Sequence, residues 1–484
     1  LKVGVVNRAN AKIKQESGKT TIEGTMISIE NDTGYITALV GGSQFGPENQ
    51  LIRAVQSKLQ PGSSFKPLYY SAAIDSRKYT AASIIYDTPV VFYTEDGVPY
   101  IPENFKGEWK GSVQLWYALA TSMNVPSLRI LDGIGFDAAI NRAVALLGIP
   151  ENEVESRNFA RVYPLGLGIS DVRPVEMARA FAIFANQGVE VIPMAIRSVA
   201  DKNGKIFLNP ERDIRVQQQE KGSATQIITP QTAYIMTRLL QNTVSDGTLR
   251  YGTNYGRKLR YKNQNGQYYT IPIAGKTGTT QNWADAWAVG FTPYYTGAFW
   301  FGFDLPGQSL GLEITGSTLA GVALGDFMSV ANEDVPFKEF QRPSTGLVEA
   351  TVCSVSGQIL TTACGDHQTT QIFLEGTQPT SICEIHSNRE TAFTIGVDRL
   401  STEKMMTGIS NPRITDTAEL TIDLSFLAEN YVPEIESNNT DFSEEMPYIK
   451  EEELSTENET QAELEEIIEE EVKEYVPERN FFLD

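Results

Sequence analysis

The strongest constraint on the fold is that strand-like alternation occurs at two places far apart in the chain. Residues 24–42, GTMISIENDTGYITALVGG, alternate apolar and polar positions on either side of N-D-T-G, the pattern of a hairpin. Alternation returns only at 268–278 (YYTIPIAGKTG), 285–293 (DAWAVGFTP) and 295–304 (YTGAFWFGFD). A two-stranded hairpin cannot bury its apolar face alone, so the early and late strands are expected in one sheet closed by both halves of the chain. The intervening segments have helical period. SVQLWYALATSM (112–123), FDAAINRAVALLG (136–148), PVEMARAFAIFANQG (174–188) and TPQTAYIMTRLLQNTV (229–244) read as helices, the second and third ending at glycines suited to a C-cap. The class is α+β, a central antiparallel sheet flanked by helices.

Another helix is expected to start within LQPGSSFKPLYY (59–70), where a Pro-Gly turn precedes Ser63 and Pro67 falls in the first turn. Ser63 and Lys66 then share one helix face. A lysine made neutral by burial and a nearby cation can take a serine proton, and the helix N-terminus offers backbone N–H groups to a developing oxyanion. The chain has only two histidines, His367 and His386, both after the apolar body, so a Ser-His-Asp triad within that body is excluded. Two further short patterns follow in order. Ser122-Met123-Asn124 is expected in a helix-end loop, and Lys276-Thr277-Gly278 ends an alternating apolar run. A Ser-x-x-Lys pair alone is weak evidence; all three patterns, ordered and in these contexts, point to a serine acyl-transfer site.

With these motifs the chain resembles the penicillin-binding proteins, most closely the transpeptidase portion of the bifunctional class A members. The resemblance runs from about Gly24 to His386 and includes TGYITALVGG, QPGSSFKP, TSMNVPS, YPLGLGISDVRPVEMARAFAIFANQG, GKTGTTQNWADAWAVGFTP and FLEGTQPTSICEIH. It implies the fold shared with serine β-lactamases and a D,D-transpeptidase that uses no cofactor. By the same resemblance Ser63 is the nucleophile and Lys66 its base. Ser122 relays the proton to the leaving amine, and Asn124 hydrogen-bonds the substrate peptide. Lys276 keeps Lys66 neutral and helps bind the terminal carboxylate, with Thr277 and Thr279 as hydrogen-bond donors to it. The backbone N–H groups of Ser63 and Thr279 form the oxyanion hole, and Gly278 leaves room for substrate along the strand edge. The implied partners are peptidoglycan stem peptides, as D-Ala-D-Ala donor and amine acceptor, and β-lactams. The implied location is the periplasmic face of the cytoplasmic membrane. A D,D-carboxypeptidase and a β-lactam-binding sensor or scaffold without turnover are alternatives.

A class A β-lactamase would need a Glu with Asn four residues on to activate water. Glu151, Glu153, Glu155, Glu176, Glu190, Glu211 and Glu220 lie between the second and third motifs, and none has that Asn. Blander readings stand beside several residues. Ser64 reads as structural, while Trp283, Asp285 and Trp287 read as core or as cleft-shaping. Tyr100, Asn104 and Phe105 could wall the acceptor side or simply pack a loop.

The net charge of −21 is concentrated at one end. Residues 431–484 carry nineteen acidic side chains against Lys450, Lys473 and Arg479, and no basic stripe for nucleic acid is present. The boundaries expected are a linker at 1–20, a transpeptidase domain at 21–343, a Cys-containing appendage at 344–390 and an acidic, largely disordered tail at 391–484. Within the tail, Thr460 and Glu463 could cap a helix with Leu464, Ile467, Ile468, Val472 and Tyr475 on one face, as a docking segment for a protein partner. The chain starts at Leu1 with no signal segment and no long apolar run, so it reads as a soluble fragment lacking the family's membrane anchor and glycosyltransferase. Cys364-x-x-His367 and Cys383-x-x-His386 have metal-ligand spacing. The family's extracytoplasmic setting favours a Cys364–Cys383 disulfide over zinc at those four residues, with free thiols as a third state. No metal is assigned to the catalytic site.

Overall fold

The structure, a computed structural model, describes residues 22–386 apart from positions 48, 95, 105, 106, 264 and 306. The acidic tail, its candidate helix and Phe105 lie outside the described residues. Early and late strands do form one sheet. The strands β1 (Glu23–Glu30), β2 (Ile36–Val40), β3 (Ala274–Thr279), β4 (Ala286–Phe291) and β5 (Tyr295–Gly302) pair antiparallel in the order β3-β4-β5-β1-β2. Strand β3, which carries Lys276, is therefore an edge strand.

Period-2 alternation divides the sheet between two cores. Ile27, Ile29, Trp287, Val289, Phe291, Ala298 and Trp300 join the larger cluster, shared with most of the helices. Met26, Ala286, Ala288, Phe299 and Phe301 face the other cluster with Leu319, Leu324 and Met328. On the second face, cross-strand pairs match large with small, as Ala288 opposite Phe299 and Ala286 opposite Phe301, while Trp287 lies opposite Trp300 on the first. The helices α1 (Lys66–Asp75), α2 (Leu115–Ala120), α3 (Asn124–Ile134), α4 (Phe136–Leu147), α5 (Pro174–Ala185) and α6 (Pro230–Ser245) lie between β2 and β3 in the chain, and α7 (Gly321–Ala331) follows β5. Gly148 ends α4 in the left-handed conformation, φ 70°, as its position predicted.

Two local expectations need correction. The stretch at 112–123 is not all helix. Residues Gly111–Gln114 form a strand against Ile84–Asp87, and only Leu115–Ala120 are helical, because tertiary pairing holds Gln114 extended. The segment beginning at Ser63 is not a regular helix start either. Gly62–Phe65 form a 3₁₀ turn, and the α-helix begins at Lys66. No surface face exists on α1 between Lys66 and Ile74, since every one of these residues is buried.

A second hairpin, β6 (Leu347–Cys353) with β7 (Gln368–Leu374), packs on the helical side. The Gln114 amide donates to Cys353 O (2.9 Å), Arg77 to Glu375 O (3.0 Å) and Gln231 to Thr345 O (3.1 Å). No helix among the described residues is long and apolar enough to cross a membrane.

The loop between α4 and α5 is tied down by Arg157, whose side chain is fully buried. It donates to both carboxylate oxygens of Glu176 (2.9 and 2.8 Å) and through Nε to Glu153 (2.9 Å). Glu176 in turn accepts from the backbone N–H of Arg173 at the start of α5 (2.7 Å). Arg157→Ala leaves Glu176 with Arg173 alone, 2.7 Å away, takes from Glu153 its closest partner, and is expected to cost about 1–3 kcal/mol. Urea denaturation measures this; a loss under about 1 kcal/mol would show that the pair is not holding the loop.

Candidate active site

Three separate elements bring Lys66, Ser122, Asn124 and Lys276 into direct contact. Ser122 sits in the turn between α2 and α3 with φ 65°, a left-handed backbone that a serine adopts only at some cost. That turn presents its backbone and its hydroxyl to two different lysines. Lys66 Nζ donates to Ser122 O (2.9 Å), Met123 O (2.9 Å) and Asn124 Oδ1 (3.0 Å). Lys276 Nζ donates to Ser122 Oγ (2.7 Å) and Thr277 O (3.0 Å).

Both lysines are completely buried. Burial, and then the charge of Lys276, push Lys66 well below the ordinary lysine range. Burial alone brings Lys276 down to about 7. Three acceptors around Lys66 Nζ suit the ammonium form, against the lowering by burial. The direction we hold to is downward, because no carboxylate is among the groups acting on either amine. On losing a proton, Lys66 releases one of its three contacts and gains a lone pair able to accept from a hydroxyl.

Ser63 lies in the 3₁₀ turn immediately before Lys66 and is partly exposed, whereas Ser64 is buried with its hydroxyl on Pro61 O (2.7 Å). Ser63 Oγ is not among the hydrogen-bond partners of Lys66 Nζ. The turn is pressed against β3. A Cβ on Gly278 would stand 2.1 Å from Pro61 O and 3.1 Å from both Ser64 N and Ser64 Oγ. A Cβ on Gly62 would stand 2.9 Å from Thr279 O. The bare backbone at Gly278 thus makes room for the turn that carries Ser63, a different role from leaving space for substrate.

The threonines point away from Lys276, as strand alternation requires. Thr277 Oγ1 pairs with Thr248 Oγ1 (2.7 Å), and Thr279 Oγ1 accepts from Gly316 N (3.0 Å). Thr279 keeps its own proton to donate. Asn124 bridges Lys66 and the carbonyl of Glu103 (3.1 Å), so it orients the lysine as well as facing the cleft. Asn104 is packing: its amide binds Asp87 (2.6 Å) and Glu108 O (3.0 Å), and its oxygen accepts from Val125 N (3.3 Å). Tyr100 stacks on Tyr163. Trp287 is core, with its indole N–H on Gln60 O (2.8 Å) just ahead of the Ser63 turn, and Asp285 accepts from Thr280 (2.7 Å) and Trp300 (2.8 Å). Thr248 and Gly316 were not singled out in the sequence, where nothing marks a lone threonine or glycine as a neighbour of a strand far from it.

Residues 24–320 match the family model described as the penicillin binding protein transpeptidase domain, and residues 343–388 match the Penicillin-binding protein 1A C-terminal domain. Penicillin-binding protein 1A of Pseudomonas aeruginosa is 34% identical over 378 residues, covering 69% of this chain and 43% of that protein. The Clostridium tetani protein of that name is 30% identical, covering 77% and 46%. The chain spans less than half the length of these curated relatives. Among solved structures, Penicillin-Binding Protein 1A from Haemophilus influenzae aligns with TM-score 0.63 and 24% identity over 75% of this chain and 54% of that one. The PonA1 protein from Mycobacterium tuberculosis in complex with penicillin V aligns at 0.53 and 23%, over 70% and 86%.

The close approach of β3 to the Ser63 turn gives a direct test. Gly278→Ala must displace Pro61 and Ser64 and is expected to cost about 1–3 kcal/mol. A denaturation midpoint equal to that of the parent protein would mean that the two backbones are not in contact.

Proposed function

Since the chain belongs to the penicillin-binding protein transpeptidase family, we propose that it is a serine D,D-transpeptidase that cross-links peptidoglycan stem peptides on the periplasmic face of the cytoplasmic membrane. The observation that carries this reading is the convergence on Ser122 of Lys276 and of Lys66, which directly follows the turn holding Ser63. In the proposed acylation, Ser63 Oγ bonds to the penultimate D-alanine carbonyl carbon. Neutral Lys66 takes the serine proton. Ser122, held by Lys276, passes its hydroxyl proton to the departing D-alanine nitrogen as the C–N bond breaks and takes in its place the proton that Lys66 received, which returns Lys66 to its neutral form. The tetrahedral oxyanion would lie between the backbone N–H groups of Ser63 and Thr279, which the tight Gly62 packing supports. An acceptor amine then attacks the acyl carbon and releases Ser63. The terminal carboxylate would be met by the Thr279 hydroxyl, which keeps its proton, with the Lys276 ammonium supplying positive charge from the other face of β3; Thr277 would have to turn its hydroxyl from Thr248 to join them. A D,D-carboxypeptidase would differ only in using water as acceptor; a sensor or scaffold would stop at the acyl-enzyme.

Penicillin carries a strained amide in place of the D-Ala-D-Ala bond, and its leaving nitrogen stays tethered. Intact mass after incubation with penicillin is expected to show one adduct, mapped to Ser63 and lost in Ser63→Ala. Ser64→Ala keeps labelling, because its hydroxyl is spent on Pro61 O within the turn. The adduct should persist for at least minutes, against a median enzyme turnover of about 10 per second. An adduct on Ser64, or fast catalytic hydrolysis, would refute the assignment, while acceptor-dependent release of D-alanine separates transpeptidation from the alternatives.

The two lysines also set the pH dependence. Acylation needs Lys66 neutral, so the second-order rate constant rises with pH as Lys66 loses its proton. It needs Lys276 charged for an anionic donor, so it falls as pH passes about 7. Lys276→Arg keeps the charge at all accessible pH values and is expected to remove the alkaline limb, whatever it does to the maximum. An unchanged alkaline limb in this variant would show that another group titrates there.

A further inference from the structure

The expected Cys364–Cys383 disulfide is absent: Cys353, Cys364 and Cys383 are all free thiols, and all are buried. They are drawn to one point from three places. Cys353 ends β6, Cys364 ends the short 3₁₀ turn Thr362–Cys364, and Cys383 is fixed by its backbone N–H to Ile359 O (2.8 Å). His386 closes the group. The three Sγ atoms and one His386 ring nitrogen lie within 4.8 Å of one another.

From this geometry we propose that the C-terminal domain holds a structural zinc ion on Cys353, Cys364, Cys383 and His386. Tetrahedral zinc, with bonds of about 2.3 Å to sulfur and about 2.0–2.1 Å to nitrogen, sets sulfur–nitrogen edges near 3.6 Å and sulfur–sulfur edges near 3.8 Å. His386 Nδ1 stands 3.3 Å from Cys353 Sγ and 3.5 Å from Cys383 Sγ, close to those edges. A disulfide joins two sulfurs at about 2.05 Å and would leave the third thiol buried beside it. Three soft donors and an imidazole are the donor set that zinc selects.

The surroundings are arranged for thiolates. The backbone N–H groups of Val355 and Ser356 both donate to Cys353 Sγ (3.4 Å each), and that of Thr361 donates to Cys364 Sγ (3.4 Å). Such N–H···S contacts stabilise the negative sulfur that a metal requires. Binding expels the three thiol protons to solvent and leaves zinc, three thiolates and neutral His386. His367, the other half of the spacing pattern, does not join the donor set. Its ring stacks on that of His386 with centroids 4.8 Å apart and planes 6° apart, so it is a positioning residue. The spacing missed Cys353 because that ligand comes from a strand end eleven residues before Cys364.

The site anchors the domain where it meets the catalytic body. Cys353 O accepts the buried Gln114 amide, and Gln114 directly precedes α2, whose far end carries the Ser122 turn. The ion is thereby placed to hold the β6–β7 hairpin against that helix.

Elemental analysis of the purified full chain, with thiols kept reduced, tests the proposal. One zinc per chain is expected after reconstitution and removal of loose metal. Cobalt in its place should give a thiolate-to-metal charge-transfer band and the intense d–d bands of a tetrahedral centre. Cys353→Ser and His386→Ala should lose the stoichiometric metal, while His367→Ala keeps it. The wild-type cobalt spectrum stands even where a variant fails to fold. A Cys364–Cys383 linkage in non-reducing peptide maps, no bound zinc after reconstitution, or zinc kept in Cys353→Ser but lost in His367→Ala would overturn the proposal.

Discussion

The active-site geometry depends on two buried lysines meeting at one serine without a carboxylate to neutralise either. Lys66 grips the Ser122 carbonyl and Lys276 its hydroxyl, so the turn between α2 and α3 is fixed from α1 and from β3 together. Burying two ammonium groups side by side is strongly unfavourable, and the chain relieves this by lowering both affinities for protons. The cost in stability becomes reactivity. A buried lysine whose hold on its proton is weakened can act as a base, and Lys276, brought down to about 7, still carries charge below that pH to receive an anion. A glutamate added for stability would tighten the pair and abolish both properties.

Such a pair works only if its three carriers are held rigidly, and the sheet edge does this through backbone contact. The Ser63 turn lies against β3 so closely that Gly62 and Gly278 have no room for side chains. The indole of Trp287, fully buried in β4, fixes the Gln60 carbonyl just upstream. Ser63, Lys66 and Lys276 therefore share one packed unit, in which a shift of the sheet edge moves all three.

Much of this was legible in the sequence, for reasons that differ by element. The sheet was readable because β1, β4 and β5 are apolar runs bounded by turn residues and buried on both faces, with pairs such as Ala288 opposite Phe299 setting small against large. The contact of Lys66, Ser122, Asn124 and Lys276 could be anticipated because Ser-x-x-Lys, Ser-x-Asn and Lys-Thr-Gly each place polar groups where an apolar element ends. What escaped is long-range. Gln114 reads as helix and is strand because Ile84–Asp87 pairs beside it. Gly278 reads as open space for a ligand and is occupied by another backbone. Cys353 carries no spacing signal, and its grouping with Cys364, Cys383 and His386 exists only after the hairpin closes. Periodicity reports which face is buried; it does not report what is packed there.

The fate of the proposed acyl-enzyme follows from where the glutamates are spent. Between the second and third motifs, Glu153 and Glu176 are held by Arg157, Glu190 by Arg179 and Lys221, and Glu211 by Arg197 and Tyr35. Glu151, Glu155 and Glu220 are exposed. A glutamate whose charge is matched by an arginine or lysine is a weaker base toward a water molecule than an unpaired one. The loop that would carry a hydrolytic base is instead cross-braced around Arg157. Slow attack by water then leaves time for an amine, which is intrinsically the better nucleophile, to reach the acyl carbon. In the proposed acyl-enzyme, the same ion pairs that order the loop would favour transfer over hydrolysis.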